Sequence, residues 1–298
     1  MRIHASAVVR TATALAMMFS ATSASALVAY IDDFRIIRSN LAYVTDTFDD
    51  GVVPPTVPGA FNCGTTAPNC YSVTGSFNSG DESGGKLRMD TSLGDLSESS
   101  TGAARIVQNA RLITNRSDDP VDINAGLKKH RTFSASAIFD LVLPGPGEQY
   151  QVRFTDSHAN AADAGHRTDF LALAVRRAAT DGAQPEIRFF EQNYAADTLV
   201  EIGATPLNVN LGADQIRLTL NHAVADSTEI IASWDYLNAG NVVQSGSFAA
   251  RGNIFDGETW TRADFIVSAP VPEPQSYALM LGGLALIGWR LQRRKIPT

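Results

Sequence analysis

The stretch Phe133-Ser-Ala-Ser-Ala-Ile-Phe-Asp-Leu-Val-Leu143 decides the fold class, because apolar residues occupy every second position along it. A period of two places one set of side chains on a core face and the other toward solvent, which is the pattern of a half-buried β-strand. The same period recurs in residues 149–155, 215–221 and 230–236. These four segments therefore predict strands that each bury one face.

Five further segments have strand composition, and turn signals separate the whole series. The further strands are predicted at residues 105–113, 169–176, 186–192, 242–248 and 263–267. Glycine, proline, aspartate and asparagine mark turns at residues 144–147, 181–182, 238–240 and 256–257. No uncapped helical segment is long enough to compete with this strand interpretation. Many strands in series without alternating helices predict an all-β protein, an antiparallel two-sheet β-sandwich for which a jelly roll is the best fit.

The composition excludes several classes of protein. Of the 298 residues, 44% are apolar, which suits a packed core and argues against a disordered chain. The formal net charge of -7 argues against a general nucleic-acid binder. Two cysteines are too few for a disulfide-dense scaffold or a four-cysteine zinc site.

The N-terminal segment has the layout of a secretory signal peptide. Arg2 and Arg10 give a positive start, and residues 12–19 form an apolar stretch. Residues 24–26, Ala-Ser-Ala, fit the small-residue cleavage pattern of signal peptidase. We therefore predict that residues 1–26 are removed and that the mature chain is exported.

The C-terminal segment predicts a membrane helix. Residues 268–274 contain three prolines, and residues 277–289 are apolar and uncharged. At a rise of ~1.5 Å per residue those 13 residues give ~20 Å, short of the ~30 Å hydrocarbon core. Counting residues 274–291, with basic side chains that snorkel, extends the span to roughly 27 Å. The basic residues that follow would hold this end in the cytoplasm.

The tail contains Pro272, Glu273 and Pro274, then the apolar segment, and then the basic residues Arg293, Arg294 and Lys295. In this order, these features resemble the PEP-CTERM sorting signal of Gram-negative bacteria. The resemblance covers about residues 270–296 and implies that a membrane-embedded exosortase recognises the Pro-Glu-Pro region and cuts the tail away. It also implies inner-membrane anchoring before processing, then a place at the cell surface, in the outer envelope or in extracellular matrix rich in exopolysaccharide, as in a biofilm.

Between the two targeting segments, residues 27–268 form one predicted domain. Without the ends, 18 basic and 30 acidic residues remain, a net charge of -12. The order of short motifs resembles exported concanavalin-like (laminin-G-like) domains. An aromatic-Asp-Asp-Gly segment stands at 48–51, a Tyr-x-Val-Thr-Gly strand at 71–75, and a Glu-Ser-Gly-Gly loop at 82–85 leads into the strand 86–90.

Cys63 and Cys70 lie in a loop rich in glycine, proline and asparagine. In an exported protein the expected state is a disulfide between them. Closing so short a loop contributes roughly 2.5 kcal/mol. The alternatives are two free thiols or half of a metal site.

Known catalytic patterns do not fit the chain. Residues 80–85 approximate the Gly-Asp-Ser-Gly-Gly of serine proteases, but only His4, in the signal segment, precedes them. Concanavalin-like glucanases carry same-face carboxylates on one strand. Glu186 and Glu191 are five positions apart, which places them on opposite faces of a strand. We therefore predict a protein without enzymatic activity.

Two groups of polar residues are candidates for ligand or metal binding. Asp156, His158 and His166 form the densest polar cluster, although a solvated loop is the simpler interpretation. Asp49 and Asp50 have oxygens that suit calcium, although Asp-Asp-Gly is also a common turn. No other cofactor is expected.

One of the aromatic residues is a candidate for stacking against a sugar ring. Trp234 and Tyr236 follow the apolar phase of their strand, which predicts core positions. Trp260 stands next to a turn, where an aromatic ring can stack on a sugar, although packing at the strand end is the alternative.

The sequence as a whole predicts an exported, non-catalytic β-sandwich that binds glycan or another surface partner through loops at one rim. The expected partners are signal peptidase, exosortase, polysaccharide and, through the C-terminal helix, the membrane; nucleic acid is not among them. One alternative is a polysaccharide-processing enzyme on the same fold. A second is a structural matrix or biofilm protein without a specific ligand.

Overall fold

The computed structural model describes residues 26–49, 69–98, 104–114, 127–156, 170–180, 182–193, 198–251 and 260–271. Its strands belong to one compact unit, Ala26–Pro270. The other unit consists of Met1–Ser25 and Val271–Thr298. The predicted signal peptide, up to residue 25, and the predicted transmembrane helix lie outside the described residues. Among the residues that are described, no helix is both long and apolar enough to cross a membrane.

The strands form two sheets, called sheet A and sheet B here. Sheet A contains β1 (Val28–Arg38), β2 (Leu41–Asp46), β4 (Glu82–Ser83), β5 (Lys86–Asp90), β9 (Phe133–Asp140), β14 (Gln215–His222), β15 (Glu229–Asn238) and β16 (Asn241–Arg251). Its strand order is β16-β15-β14-β9-β1-β5-β4, and β2 pairs with β1. Strands β14, β15 and β16 therefore form a meander, in which neighbours in sequence are neighbours in the sheet, and β16 is the edge strand.

Sheet B is the larger of the two. It contains β3 (Asn69–Thr74), β6 (Asp95–Glu98), β7 (Ala104–Thr114), β8 (Leu127–Lys128), β10 (Gln149–Asp156), β11 (Phe170–Arg176), β12 (Glu186–Asn193), β13 (Thr198–Pro206) and β17 (Trp260–Pro270). Its strand order is β13-β12-β11-β10-β17-β7-β3, with β6 beside β7 and β8 beside β17. Short 3₁₀ turns at Thr91–Leu93 and Val209–Leu211 are the helical elements in the described part of the chain.

Every described strand pair is antiparallel, so the predicted architecture of two antiparallel sheets is confirmed. The predicted strands all have counterparts among the observed strands. Residues 105–113, for example, fall within β7, and residues 263–267 fall within β17. Period-two alternation, which depends only on local sequence, was therefore a reliable signal for strands.

The core lies between the inner faces of the sheets, where alternate residues of β9 and β10 meet. Phe139 and Tyr150 have ring centroids 5.0 Å apart, and Phe133 and Phe154 have centroids 5.3 Å apart. All four side chains are buried. The alternation predicted from residue 133 onward is thus confirmed up to the end of β9.

The predicted alternation extends past the strand, and there the prediction was wrong. β9 ends at Asp140, and Leu141 N–H instead donates to the carbonyl of Asp214 at 2.9 Å. The chain then turns through the proline- and glycine-containing residues 144–147. Leu143 is consequently 56% exposed.

The aromatic residues of β15 occupy the core, as predicted. Trp234 and Tyr236 are both buried. The Tyr236 hydroxyl oxygen accepts a hydrogen bond from Asn208 N–H at 2.8 Å. This bond fits the rule that a buried tyrosine hydroxyl finds a polar partner.

Candidate functional site

Two of the predicted ligand residues meet at one end of sheet B. Asp156 is the last residue of β10 and lies opposite Thr261, the neighbour of Trp260, which begins β17. Phe170, the first residue of β11, lies opposite Thr155 at the same end. The side chains of Asp156 and Trp260 are outside the described part of the structure. Their backbone positions nevertheless define a rim at this end of the sheet.

The other predicted site residues are mostly outside the described residues. His158, His166, Asp50 and Cys63 all lie in undescribed segments. Asp49 is exposed, and Cys70 belongs to β3, although its side chain is not described. The disulfide and the calcium site therefore stay predictions. Among the described residues, no group of three histidine, cysteine or carboxylate side chains is placed to hold a metal ion.

The outer face of sheet B, which points away from sheet A, carries a buried ion pair close to the rim. Asp264 Oδ2 accepts hydrogen bonds from Arg153 Nε at 3.0 Å and from Arg153 Nη2 at 2.7 Å. The Thr155 hydroxyl donates to the same oxygen at 2.7 Å. The Asp264 side chain is completely buried, and the Arg153 side chain is 13% exposed. These bonds fix the position of the guanidinium group.

Aromatic rings lie beside this ion pair on the same face. The Arg153 guanidinium carbon is 4.8 Å from the centroid of the Phe170 ring, within the range of a cation–π contact. Phe170 in turn packs edge-on against Phe190, with centroids 5.9 Å apart. The small side chains of Ala172 and Ala174 complete this apolar cluster.

A second group of charges, called the Arg–Glu cluster here, lies toward the edge strand β13. It consists of Arg176, Glu186, Arg188 and Glu201. Arg176 Nε is 3.4 Å from Glu186 Oε1, Arg188 Nη1 is 3.9 Å from that oxygen, and Arg188 Nη2 is 2.7 Å from Glu201 Oε2. The arginine side chains are 19% and 17% exposed, whereas the glutamates are 29% and 49% exposed. The donors therefore lie deeper than the acceptors.

The two arginines retain unused hydrogen-bonding capacity. The Nε atoms of Arg176 and Arg188 are buried and make no hydrogen bond. At 3.4 Å, Arg176 Nε is close enough to Glu186 for attraction but lacks the geometry of a hydrogen bond. Burial lowers the pKa of Arg176, and the positive charge of Arg188 lowers it further, while the nearby glutamates oppose this shift. The cluster therefore favours an additional hydrogen-bond acceptor.

The pairing of β12 settles one sequence prediction. Glu186 lies opposite Arg176 on the outer face, whereas Glu191 lies opposite Leu171, whose side chain is in the core. The two glutamates are thus on opposite faces of their strand, as predicted. They cannot form the same-face carboxylate pair of a glucanase strand.

The sequence predicted most strands of this site, but no sequence pattern predicted the site itself. Arg153 and Asp264 are 111 positions apart, and they meet because β10 pairs with β17. The Arg–Glu cluster likewise depends on the β11-β12-β13 order and on the register of those strands. Period-two alternation predicted that Arg153 points outward, but cross-strand neighbours are set by topology.

Comparison with known proteins identifies the C-terminal tail. Residues 270–295 match the model of the PEP-CTERM protein-sorting motif. The chain therefore carries the signal of an exported, membrane-anchored protein that exosortase sorts to the surface. No curated protein matches the chain.

Proposed function

We propose that this protein is a non-catalytic, glycan-binding protein of the cell surface or extracellular matrix. Its β-sandwich, which we propose to be concanavalin-like, would bind glycan through the outer face of sheet B. The observation that carries the proposal is the Arg–Glu cluster, in which the buried Nε atoms of Arg176 and Arg188 lack acceptors.

The chemistry of the cluster suits sugar hydroxyl groups. A hydroxyl both donates and accepts hydrogen bonds, so it can satisfy an arginine and a glutamate at the same time. The net charge of -12 on the exported domain repels anionic polymers. The favoured ligand is therefore a neutral polysaccharide.

A glycan array tests this proposal. The full-length protein in detergent should bind neutral envelope or matrix polysaccharides, and the variant Arg176→Gln/Arg188→Gln should bind about tenfold or more weakly, because hydrogen bonds from charged groups contribute about 1.5–3 kcal/mol each. The matched control is Arg217→Gln. Arg217 also pairs with a carboxylate on an outer sheet face, with Nη1 3.3 Å from Asp235 Oδ2, but on sheet A.

Three results would count against the proposal. Binding to no polysaccharide would refute it, and so would equal binding by the cluster variant and the control. Release of soluble sugar from a bound polysaccharide would support the enzyme alternative instead. Repeating the array with a calcium chelator tests whether the predicted metal residues Asp49 and Asp50 contribute.

Removing the sorting tail should change the location of the protein without unfolding it. In a variant that lacks residues 271–298, the strand pairs described above are intact, since β17 ends at Pro270. We expect the truncated protein to be exported and recovered folded, without membrane association. Cell fractionation and circular dichroism measure both properties. An insoluble or unfolded product would contradict the assignment of this segment as a sorting tail.

A further inference from the structure

Strand β16 forms an edge of sheet A. Within the described residues, its only strand partner is β15. The strand is 11 residues long. Val242 and Val243, near its start, are 53% and 44% exposed. An edge strand presents unpaired backbone N–H and C=O groups that can accept another strand.

β16 has one register shift, at Val243, in its pairing with β15. From Gln244 onward the strand lacks the charges, prolines and bulges that usually block strand addition, up to Ala250. Between Asn241 and Ala250, the strand contains no charged residue and no proline. By contrast, β13 forms the corresponding edge of sheet B and carries both Glu201 and Pro206. Charges and prolines on an edge are the common defences against association. The edge that β13 forms on sheet B is thus protected, whereas the edge that β16 forms on sheet A is not.

The sequence of β16 is compatible with antiparallel pairing to a second copy of itself. If two copies are centred on Gly246, each Ser245 lies opposite Ser247 of the other copy, and each Gln244 lies opposite Phe248. No like charges face each other, although the exported domain carries a net charge of -12. Most other surfaces of two such domains repel, so the uncharged edge is the favourable place for two copies to meet.

We infer that two copies of this protein associate through their β16 strands into a two-fold symmetric dimer. The two A sheets then form one continuous antiparallel sheet, held by new backbone hydrogen bonds between residues 244–248 of the two copies. The inference does not depend on the proposed glycan binding.

Paired lysines on the edge test this dimer. In the variant Ser245→Lys/Ser247→Lys, each new lysine lies directly opposite a lysine of the second copy. Because like charges across an interface are strongly unfavourable, the dimer dissociation constant should rise about 100-fold. Ser245 and Ser247 are both exposed, so the monomer can accommodate lysines there. Sedimentation of the full-length protein in detergent at micromolar concentration measures the association.

The control is Leu143→Lys/Val224→Lys, which adds the same charge at two positions that are each 56% exposed outside the strands. We expect the wild type and the control to be dimers and the β16 variant to be a monomer with an unchanged circular dichroism spectrum. A monomeric wild type would overturn the inference. A β16 variant that dimerises as strongly as the control would also overturn it, because association would then use another surface or the tail.

Discussion

Replacing Gly246 with alanine should lower the free energy of unfolding by about 3 kcal/mol, the upper part of the usual range for overpacking. A Cβ atom at this position would lie 2.2 Å from Trp234 Cζ2 and 2.5 Å from Trp234 Cε2. The indole ring has little room to move, since it packs against Phe248 with a centroid distance of 4.7 Å. Phe248 in turn stacks on Phe189 of the opposite sheet.

Urea unfolding, followed by tryptophan fluorescence, measures this effect. Ser247→Ala is the matched control, because its side chain is exposed on the same strand and its replacement should change stability by no more than about 0.5 kcal/mol. Adding Trp234→Phe to the alanine variant should recover part of the loss, since the smaller ring frees space. If Gly246→Ala is as stable as the control, the close packing of Trp234 on β16 is wrong.

Removing the carboxylate of Asp264 should destabilise the protein by about 3–5 kcal/mol, the usual cost of leaving a buried charge without its partner. The variant Asp264→Ala leaves the Arg153 guanidinium without the oxygen that accepts two of its hydrogen bonds. It also removes the acceptor of the Thr155 hydroxyl.

Two further variants separate the cost of a buried unpaired charge from the loss of any carboxylate. Asp235→Ala breaks an ion pair whose side chains are 35% and 26% exposed, and it should cost no more than about 1 kcal/mol. The double replacement Arg153→Met/Asp264→Leu removes both charges and should be more stable than Asp264→Ala alone. Equal urea midpoints for Asp264→Ala and Asp235→Ala would contradict the burial of the Arg153–Asp264 pair.

Local patterning predicted strands β9, β10, β14 and β15 well. It failed where the alternation between buried and exposed side chains shifts by one residue. In β1, Ala29 and Ile31 are buried, but the next buried apolar residues are Phe34 and Ile36. The change from odd to even positions follows from the bulge between Ile31 and Asp33 in the pairing with β9. A bulge inserts an extra residue, so a strict period of two cannot detect such a strand.

Strand β13 was missed because it contains both a bulge and a glycine. Its sequence has a glycine in the middle, where a turn or bulge is the usual interpretation. The structure has a bulge at Ile202, beside this glycine, in the pairing with β12. It also uses Gly203 for close packing, because a Cβ atom there would lie 2.6 Å from Phe248 Cδ1. Phe248 belongs to the other sheet, so the need for glycine arises from a contact that no local pattern contains.

Part of the candidate site could be predicted from the sequence, and part of it could not. The sequence placed Asp156 and Trp260 near a rim, and the pairing of β10 with β17 brings their backbones to one end of sheet B. The Arg–Glu cluster could not be predicted, because its four residues come from three strands whose order and register are tertiary properties. The sorting tail, by contrast, could be predicted, since its signal is contiguous in sequence.

Hydrogen–deuterium exchange with and without a bound polysaccharide tests the central claim most directly. The experiment uses the full-length protein and the strongest ligand of the glycan array. We predict slower exchange in β11, β12 and β13 when glycan is bound, because these strands carry Arg176, Arg188 and Glu201. Protection confined to sheet A, or to segments distant from these strands, would contradict a glycan site on the outer face of sheet B.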